Sequence, residues 1–443
     1  MQTGEEFDRI AEEDKQEEES NMSDLKEMRS YLLLWFTQLI SGIGSAMTAY
    51  TLVIWSYTQQ GSALRTALLM VCSYAPYVLF SIFAGALSDR WDKKKTMLGC
   101  DVLAALTTVA VLVLLKSGYL RIWHLYIVNG ISGLMNTVQQ PASEVATTAL
   151  LPKRLYQKVG GLRYLSNSLN SIFTPILATA VLGLWGLETV IFIDLVSFVA
   201  AFLVLLLFIR IPETESEGKP ETVLKSAAAG IRWLRQNPGI FHLMLFLAAI
   251  NLVASMFNAA FPAMILSKAS ERVMGMVNSV TGIAMLLGSL LASFMKTPKS
   301  RIKAIWCCLM LSMCTENFFL AFGNSGWIWC VGAVLGWIAL PWMSANLDAV
   351  NRLNIPVEFQ GRVFAARNSF QFFTIPVGYF LGGALVDRVF EPVMAGQKSG
   401  ILVRLFGMGK GSGAAFLFAV LWLMGIGVCL LFGKDKHIWN LEQ

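Results

Sequence analysis

The chain has 443 residues, of which 55% are hydrophobic and only 14% carry a charge, with a net charge of +6. A soluble globular protein holds about 25% charged residues, and the mean hydropathy of +0.58 describes more apolar surface than water tolerates. These values exclude an ordinary soluble protein and predict an all-α membrane protein, because open sheet edges cannot satisfy their backbone hydrogen bonds in lipid.

The first 29 residues differ from the rest of the chain. They carry eleven acidic and four basic side chains, whereas the remainder is strongly basic. A polar, acidic run cannot bury enough apolar surface to fold by itself. We therefore predict that residues 1–29 form a disordered cytoplasmic tail. They do not form a signal peptide, because the basic n-region is missing and the following apolar stretch is too long.

Apolar runs then recur along the whole chain. A helix needs about 20 apolar residues to cross about 30 Å of hydrocarbon. Runs of that kind cover residues 31–57, 67–87, 96–115, 121–140, 161–184, 188–210, 239–262, 273–295, 302–322, 326–347, 363–388 and 413–433. The sequence thus predicts twelve transmembrane helices.

The loops between these spans predict the orientation, because Lys-rich and Arg-rich loops stay in the cytoplasm. With the N-terminus inside, the inner loops carry 20 basic residues and the outer loops carry nine. We therefore predict a multi-pass membrane protein with both termini in the cytoplasm.

A long polar connection divides the spans six and six. Residues 211–238 begin with a polar stretch and continue as an amphipathic segment in which Trp233 and Leu234 adjoin Arg232 and Arg235. Such a helix lies at the membrane surface. The predicted units are a six-helix bundle at 30–210, a cytoplasmic linker at 211–238, a second six-helix bundle at 239–433 and a cytoplasmic C-terminus at 434–443.

The two bundles repeat at a constant offset of 201 residues. Four residues of the first bundle recur in the second: Gly160, Asn167, Ser168 and Pro175 as Gly361, Asn368, Ser369 and Pro376. Both sets begin in a cytoplasmic loop and end in the fifth span of their bundle. Glycine and proline there predict close helix approach and helix bends at Pro175 and Pro376.

The loop after the second span reads Gly85-Ala-Leu-Ser-Asp89-Arg90-Trp-Asp-Lys-Lys-Lys95. This loop resembles the G-x-L-x-D-R-x-x-x-K signature of the major facilitator superfamily, in the position between spans where that family carries it. The resemblance covers essentially the whole chain after residue 29. It implies two six-helix pseudo-repeat bundles that enclose a midplane cavity and expose it to each face in turn.

Two further stretches are similar to the macrolide-efflux branch of that superfamily, Gln360-Gly-Arg-Val363 and Gly383-Ala-Leu-Val-Asp-Arg388. The likeness implies proton-driven export of macrolide-like or other small lipophilic compounds across the plasma (inner) membrane of a bacterium. The family's antiporter signature in the fifth span is reduced to Pro175, which leaves proton coupling open. Two alternatives also stay open: a lysophospholipid or siderophore transporter of the same fold, and a membrane sensor or accessory protein without transport.

Asp89 and Arg90 are interpreted as a gating latch together with Arg362. Asp89 would face the positive N-terminal end of the eleventh span, near Arg362, when the inner side is closed. Losing that contact would shift a two-state equilibrium by roughly 1–3 kcal/mol. The alternative interpretation is a loop whose charges only set the topology.

Two carboxylates lie deep in apolar runs, Asp194 in the sixth span and Glu316 in the ninth. A charge near the bilayer centre costs roughly 2.5–3.5 kcal/mol, so it normally faces a cavity or a partner. Each carboxylate is a candidate for accepting a proton or neutralising a cationic substrate. The alternative is a structural hydrogen bond between helices. Glu144, at the inner end of the fourth span, is a third candidate.

Aromatic and amide side chains within the spans are candidates for the wall of a substrate cavity. They are Trp35, Gln38, Tyr50, Asn129, Asn136, Asn251 and Trp337. No pattern predicts a catalytic triad, a metal site, a nucleotide-binding loop or a cofactor site. The expected partners are therefore a small-molecule substrate, protons and the lipid bilayer, without nucleic acid, and we expect the chain to work as a monomer.

Overall fold

The computed structural model describes the backbone of residues 2–151, 155–209, 231–356, 363 and 371–442. Every regular element in these ranges is helical. The named helices are α1 (Gln2–Gln60), α2 (Ala63–Arg90), α3 (Lys93–Lys116), α4 (Ile122–Ala149), α5 (Tyr156–Leu207), α6 (Pro238–Lys268), α7 (Glu271–Phe294), α8 (Arg301–Phe322), α9 (Gly326–Trp337), α10 (Leu340–Asn354), α11 (Thr374–Leu385), α12 (Glu391–Ala395), α13 (Ile401–Phe406), α14 (Ser412–Gly433) and α15 (Lys436–Trp439).

Nine helical segments within the described ranges are long and apolar enough to cross a membrane. One of them, Leu165–Leu207, covers most of both the fifth and the sixth predicted spans. The fourth predicted span is α4, a 28-residue helix with many amide and hydroxyl side chains. The eleventh, 363–388, lies partly outside the described residues and contributes α11. The chain therefore has the predicted fold, an all-helical membrane protein with twelve spans in two six-helix halves.

The fifth and sixth spans are joined through Gly186 without a loop. Gly186 has a φ of +81° and a ψ of 175°, which breaks α5 into two arms. Glycine adopts a positive φ without the steric penalty of a Cβ. A single glycine therefore provides the turn that the sequence predicted as a short connection between 184 and 188.

The acidic N-terminal segment differs from its prediction. We predicted that residues 1–29 are disordered, yet α1 is helical from Gln2. The segment is rich in Glu, Lys, Gln and Met, which have high helix propensity, and the helix dipole favours acidic residues near the N-terminus. A composition that prevents a hydrophobic core therefore does not prevent a single helix that continues into the first span.

The same packing order recurs in the two halves. α1 packs on α5 and α2 packs on α4, while their counterparts α6 and α7 pack on α11 and α9. The most extensive contacts between the halves are those between α5 and α7 and between α2 and α11, and α6 also contacts α1 and α2. A shift of six spans converts the first contact into the second, as parallel repeats related by a pseudo-two-fold axis require.

Large apolar side chains cover the outside of the bundle, including Leu106, Leu184 and Phe294, which is 85% exposed. In lipid this surface faces its natural solvent. Inside, one extended cluster of buried apolar residues around the fully buried Phe418 lies mostly in the second half and also includes Ile54, Tyr57 and Ala63 of the first half. The first half divides its buried residues among smaller clusters, such as the one around Leu125.

The bundle has two ends, the terminal face and the far face. The terminal face carries Met28 and Trp439, and the far face carries Gly61, Lys268 and Gly411. A helical stretch at 231–236 belongs to the terminal face, and its Leu234 is buried in a cluster with Ile240 and Met244. The amphipathic segment of the linker thus has an apolar anchor next to the start of α6.

The C-terminal segment is tied to the same face by polar contacts. Nδ1 of His242 lies 2.6 Å from Oδ2 of Asp435, and the backbone N–H of His437 donates to Oδ1 of Asp435. Burial acts to raise the pKa of Asp435, but these hydrogen bonds outweigh it and hold that pKa below its ordinary value. At the very end, Glu442 accepts from the backbone N–H of Ile302 at 3.0 Å, in the first turn of α8.

Candidate functional site

A central cavity lies between the two halves, as two adjoining chambers of about 380 and 410 Å³. Six residues line both chambers: Ala46, Tyr50, Thr174, Asn258, Phe261 and Asn278. They come from α1 and α5 of the first half and from α6 and α7 of the second. Side chains from both halves therefore form one polar and aromatic wall.

Helical spacing brings these side chains to the cavity. Ala46 and Tyr50 are four residues apart, as are Met274 and Asn278, and such residues share one face of a helix. The amide Nδ2 of Asn278 donates to the hydroxyl oxygen of Tyr50 at 3.1 Å. This hydrogen bond crosses from the second half to the first at the wall of the cavity.

Glycines let α7 approach the fifth span beside this wall. A Cβ at Gly282 would lie 2.9 Å from the carbonyl oxygen of Ser171, and a Cβ at Gly275 would lie 3.2 Å from that of Pro175. Pro175 itself lines the first chamber. The contact between the halves therefore forms at the proline for which the sequence predicted close helix approach.

Glu316 brings a carboxylate to the cavity. It lies on α8, is 8% exposed, and lines the first chamber together with Trp337 at the end of α9. The indole Nε1–H of Trp337 donates to Oε1 of Glu316 at 2.7 Å. A carboxylate in such a wall can accept a proton or bind a cation, and the indole face adds a favourable surface for a cation.

Asp194 has different surroundings. It lies on the second arm of α5, is 4% exposed, and accepts a hydrogen bond from the hydroxyl of Ser45 at 2.9 Å. A Cβ at Gly44 would lie 3.1 Å from the Cα of Asp194, so α1 and α5 are in close contact here. Asp194 lies outside the cavities described here, and its geometry is that of a tie between two helices of one half.

A third cavity, of about 600 Å³, lies at the terminal face among α1, α4 and α5. The carboxylate of Glu144 forms an ion pair with Arg163 at 2.9 Å in this cavity. Gln38 and Trp35 also line it, and the indole of Trp35 donates to the carbonyl oxygen of Leu162 at 3.1 Å. Three of the predicted residues therefore meet in a vestibule rather than in the central cavity.

The other predicted cavity residues have separate positions. Asn129 lines the second chamber and donates to the carbonyl oxygen of Leu125 at 2.8 Å. Asn136 is exposed and lies outside the three cavities. Asn251 donates to the carbonyl oxygen of Gln371 at 3.2 Å and so joins α6 to the residues before α11.

The second predicted bend and the predicted latch lie near the less described parts of the chain. Helical structure at 371–372 is interrupted by a turn at Phe373, three residues before Pro376. A proline removes the N–H that would bond to the preceding turn, which accounts for that interruption. Asp89, Arg90 and Arg362 fall outside the described residues, because neither the side chains of 82–90 nor any part of Arg362 is described.

One buried carboxylate was missed by the sequence reasoning. Asp101 on α3 is 9% exposed and accepts from the amide Nε2 of Gln139 on α4 at 2.7 Å. In the sequence, Asp101 follows the basic residues at the start of α3 by less than three helical turns. The pattern therefore suggested a polar helix end and not a buried carboxylate. The available signal was its position within the apolar run, together with an amide on the next helix.

Comparisons with known proteins agree with this architecture. The Major Facilitator Superfamily sequence model matches residues 34–257. Macrolide efflux protein A of Streptococcus pyogenes is 25% identical over 366 residues, which are 81% of this chain and 90% of that protein. The multidrug efflux pump Tap of Mycolicibacterium fortuitum is 24% identical over 370 residues, which are 80% of this chain and 89% of that pump.

Solved structures share the fold at lower identity. The nucleoside transporter NupG superposes with a TM-score of 0.67 at 14% identity, over 92% of this chain and all of that one. A bacterial homologue of the iron transporter ferroportin, in an inward-facing state, gives a TM-score of 0.66 at 14% identity, over 92% of this chain and 99% of the other. With its sequence match, its helix order and its cavity between two halves, the chain belongs to the Major Facilitator Superfamily of membrane transporters.

Proposed function

We propose that the chain exports small lipophilic or amphipathic compounds, macrolide-like drugs among them, by alternating access coupled to protons. Two relatives that match about four-fifths of the chain carry the names of a macrolide efflux protein and a multidrug efflux pump. Their names support export as the direction and lipophilic drugs as the cargo. The observation that carries the proposal is the Glu316 carboxylate, held by Trp337 in the wall of the central cavity.

That carboxylate indicates the preferred cargo. Aromatic side chains such as Tyr50, Phe257 and Phe261 line the first chamber. Such a wall favours the planar or apolar part of a ligand. Glu316 adds one negative charge, which a basic amine on the cargo neutralises. We therefore infer that a lipophilic compound with a protonated amine is the favoured substrate.

The same group explains coupling to protons. Glu316 can hold a proton or an ammonium group, but one displaces the other. The exchange moves one positive charge in each direction, so the membrane potential cancels. The drive comes from the proton concentration gradient, about 1.4 kcal/mol for each pH unit by which the outside is more acidic. Exchange of the two at one carboxylate therefore drives the amine outward.

The orientation belongs to the proposal as well. The predicted inner loops carry 20 basic residues and the predicted outer loops carry nine. Because loops rich in Lys and Arg stay in the cytoplasm, this difference supports a cytoplasmic position for the terminal face. The vestibule with Glu144 and Arg163 would then receive cargo from the cytoplasm. At the far face the halves meet, since the Tyr57 hydroxyl and the Ser267 hydroxyl are 2.7 Å apart and Nζ of Lys410 lies 5.7 Å from the centre of the Tyr57 ring.

The test is drug accumulation in energised bacteria with and without the gene. We expect several-fold lower accumulation of an amine-bearing macrolide when the gene is present, and loss of that difference when a protonophore collapses the proton gradient. A macrolide analogue without the amine serves as the matched compound and should be exported poorly. Equal accumulation in both strains would refute export and favour a sensor or accessory role. Equal export of both compounds would refute the role given to Glu316.

A further inference from the structure

α2 ends in nearly the same sequence as the segment in which α11 passes into a π-helical turn, Val386–Phe390. Residues 85–90 read Gly-Ala-Leu-Ser-Asp-Arg and residues 383–388 read Gly-Ala-Leu-Val-Asp-Arg, a match at five of six positions. α2 runs toward the terminal face and α11 runs toward the far face, so the two copies lie at opposite ends of two helices that pack on each other. An offset of 298 residues separates them, unlike the parallel repeat at 201. The parallel repeat of the two halves, combined with the inverted three-helix repeat within the second half, relates helices in this way.

In the second copy, Asp387 binds the first turn of α2 across the boundary between the halves. Its Oδ2 accepts from the hydroxyl of Ser62 at 2.5 Å and from the backbone N–H of Leu64 at 3.0 Å, while its Oδ1 accepts from the backbone N–H of Ala63 at 2.9 Å. The first N–H groups of a helix have no partner within it, and its positive end attracts a carboxylate. Three charge-assisted hydrogen bonds therefore connect the two halves at the far face.

Gly383, one helical turn before Asp387, sets the distance between the two helices. A Cβ at Gly383 would lie 2.7 Å from the Cα of Leu64 and 3.0 Å from both the carbonyl oxygen of Ala63 and the Cβ of Ala67. Residues four apart share one face of a helix. Gly383 thus allows the two helices to approach closely. On the same face, the Asp387 carboxylate accepts from the N–H groups of α2 that have no partner within that helix.

We propose that Gly383 and Asp387 form a far-face latch that keeps the central cavity closed at that side. α2 belongs to the first half and α11 to the second, so opening of the far face has to break all three hydrogen bonds. Asp387 therefore stabilises the state closed at the far face, and its loss shifts the population toward the state open there. The far-face latch goes beyond the proposed function, since it acts whatever the cargo is.

Glu391 offers a matched control. It lies four residues after Asp387, but its Oε1 accepts from the backbone N–H of Gly411 at 2.9 Å and of Ala414 at 3.4 Å. These residues begin α14, which belongs to the same half as Glu391. The two carboxylates thus perform the same kind of helix capping, and only that of Asp387 joins the halves.

The experiment measures access to the central cavity from each face. Ala46, which lines both chambers, is replaced (Ala46→Cys), and its alkylation by a membrane-impermeant maleimide is followed by peptide mass spectrometry in intact cells and in inside-out vesicles. For Asp387→Asn in this background we expect alkylation from the far face to rise about tenfold, within the usual range of coupling between two states, and alkylation from the terminal face to fall. Glu391→Gln should leave both rates at the value of the Ala46→Cys parent.

Unchanged rates for Asp387→Asn at the parental protein level would overturn the far-face latch, as would an equal rise for Glu391→Gln. Where Asp387→Asn does not reach the membrane, Ser62→Ala removes one of the three latch hydrogen bonds, together with the bond that Ser62 Oγ accepts from the backbone N–H of Arg65 within α2, and keeps both carboxylates. A rise of about twofold is then expected, and no rise would overturn the latch. Alkylation requires no cargo, so this result and the drug-accumulation result can fail independently.

Discussion

Each half of the molecule buries a carboxylate within its spans, and the two have opposite surroundings. Asp194, in the first half, accepts from Ser45 on the neighbouring helix and lies outside the cavities, whereas Glu316, in the second half, accepts from Trp337 and lines the central cavity. Both are less than 10% exposed. Depth in the membrane therefore does not separate the two carboxylates, whereas contact with the cavity does.

The packing of the halves differs in a related way. The extended apolar cluster, which lies mostly in the second half, includes residues of α8 and α14, which pack on each other. Glu316 thus stands on a helix held by a continuous core. In the first half the buried residues form several smaller clusters, and Asp194 with Ser45 supplies a polar contact between α1 and α5.

The largest effect is expected for Glu316→Gln. Glutamine keeps the shape of the side chain but cannot take up a proton or neutralise an amine, and a hydrogen bond to a charged group is worth about 1.5–3 kcal/mol. Export of the amine-bearing macrolide should therefore fall by about tenfold or more. Drug accumulation at matched expression measures this, with Asp101→Asn, a buried carboxylate outside the three cavities, as the control. Wild-type export by Glu316→Gln would remove the contrast between the halves.

A smaller effect is expected for Gly336→Ala, which leaves both carboxylates in place. Its Cβ would lie 2.8 Å from the Cβ of Glu316, an atom too near the backbone to move freely. Strain of about 1 kcal/mol corresponds to about a fivefold loss of export. Gly427→Ala is the matched control, because a Cβ there meets nothing within 4 Å. Equal export by the two variants would show that the position of Glu316 is not critical.

The smallest effect is expected for Asp194→Asn. The amide oxygen can still accept from Ser45, so export should stay within about twofold of wild type. Asp194→Leu removes the hydrogen bond and should lower thermal stability in detergent by the equivalent of about 1 kcal/mol. Both are read by drug accumulation and by thermal unfolding of the purified protein. Loss of export in Asp194→Asn would instead place a transport role in the first half.

The twelve spans and the fold were predictable, because apolar length and loop charge are properties of the chain taken one segment at a time. The helical state of residues 1–29 was not predicted, because their composition describes the absence of a core and says little about a lone helix. The break at Gly186 was located to within two residues. The break consists of a single glycine with a positive φ between two arms. That geometry depends on how the two arms pack, so the local sequence does not predict it.

The site was only partly predictable. Asn129 and Asn136 share one face of α4, since seven residues make nearly two turns, yet only Asn129 lines the central chamber. Asn136 lies about 10 Å further along the helix axis, beyond the level of that chamber. Asn258 and Asn278 line both chambers and were missed. Periodicity gives the face of a helix, but the height of a cavity follows from how several helices cross.

The contact of Glu442 with α8 has a practical consequence for anyone purifying this transporter. Glu442 accepts a hydrogen bond from the backbone N–H of Ile302, in the first turn of the helix that carries Glu316. Glu316 lies fourteen residues after Ile302, which is about 21 Å further along that helix. An affinity tag fused directly after Glu442 would crowd the hydrogen bond between Glu442 and the first turn of α8. A tag placed ahead of α1, or separated from Glu442 by a flexible spacer, would leave the contact between Glu442 and the first turn of α8 intact.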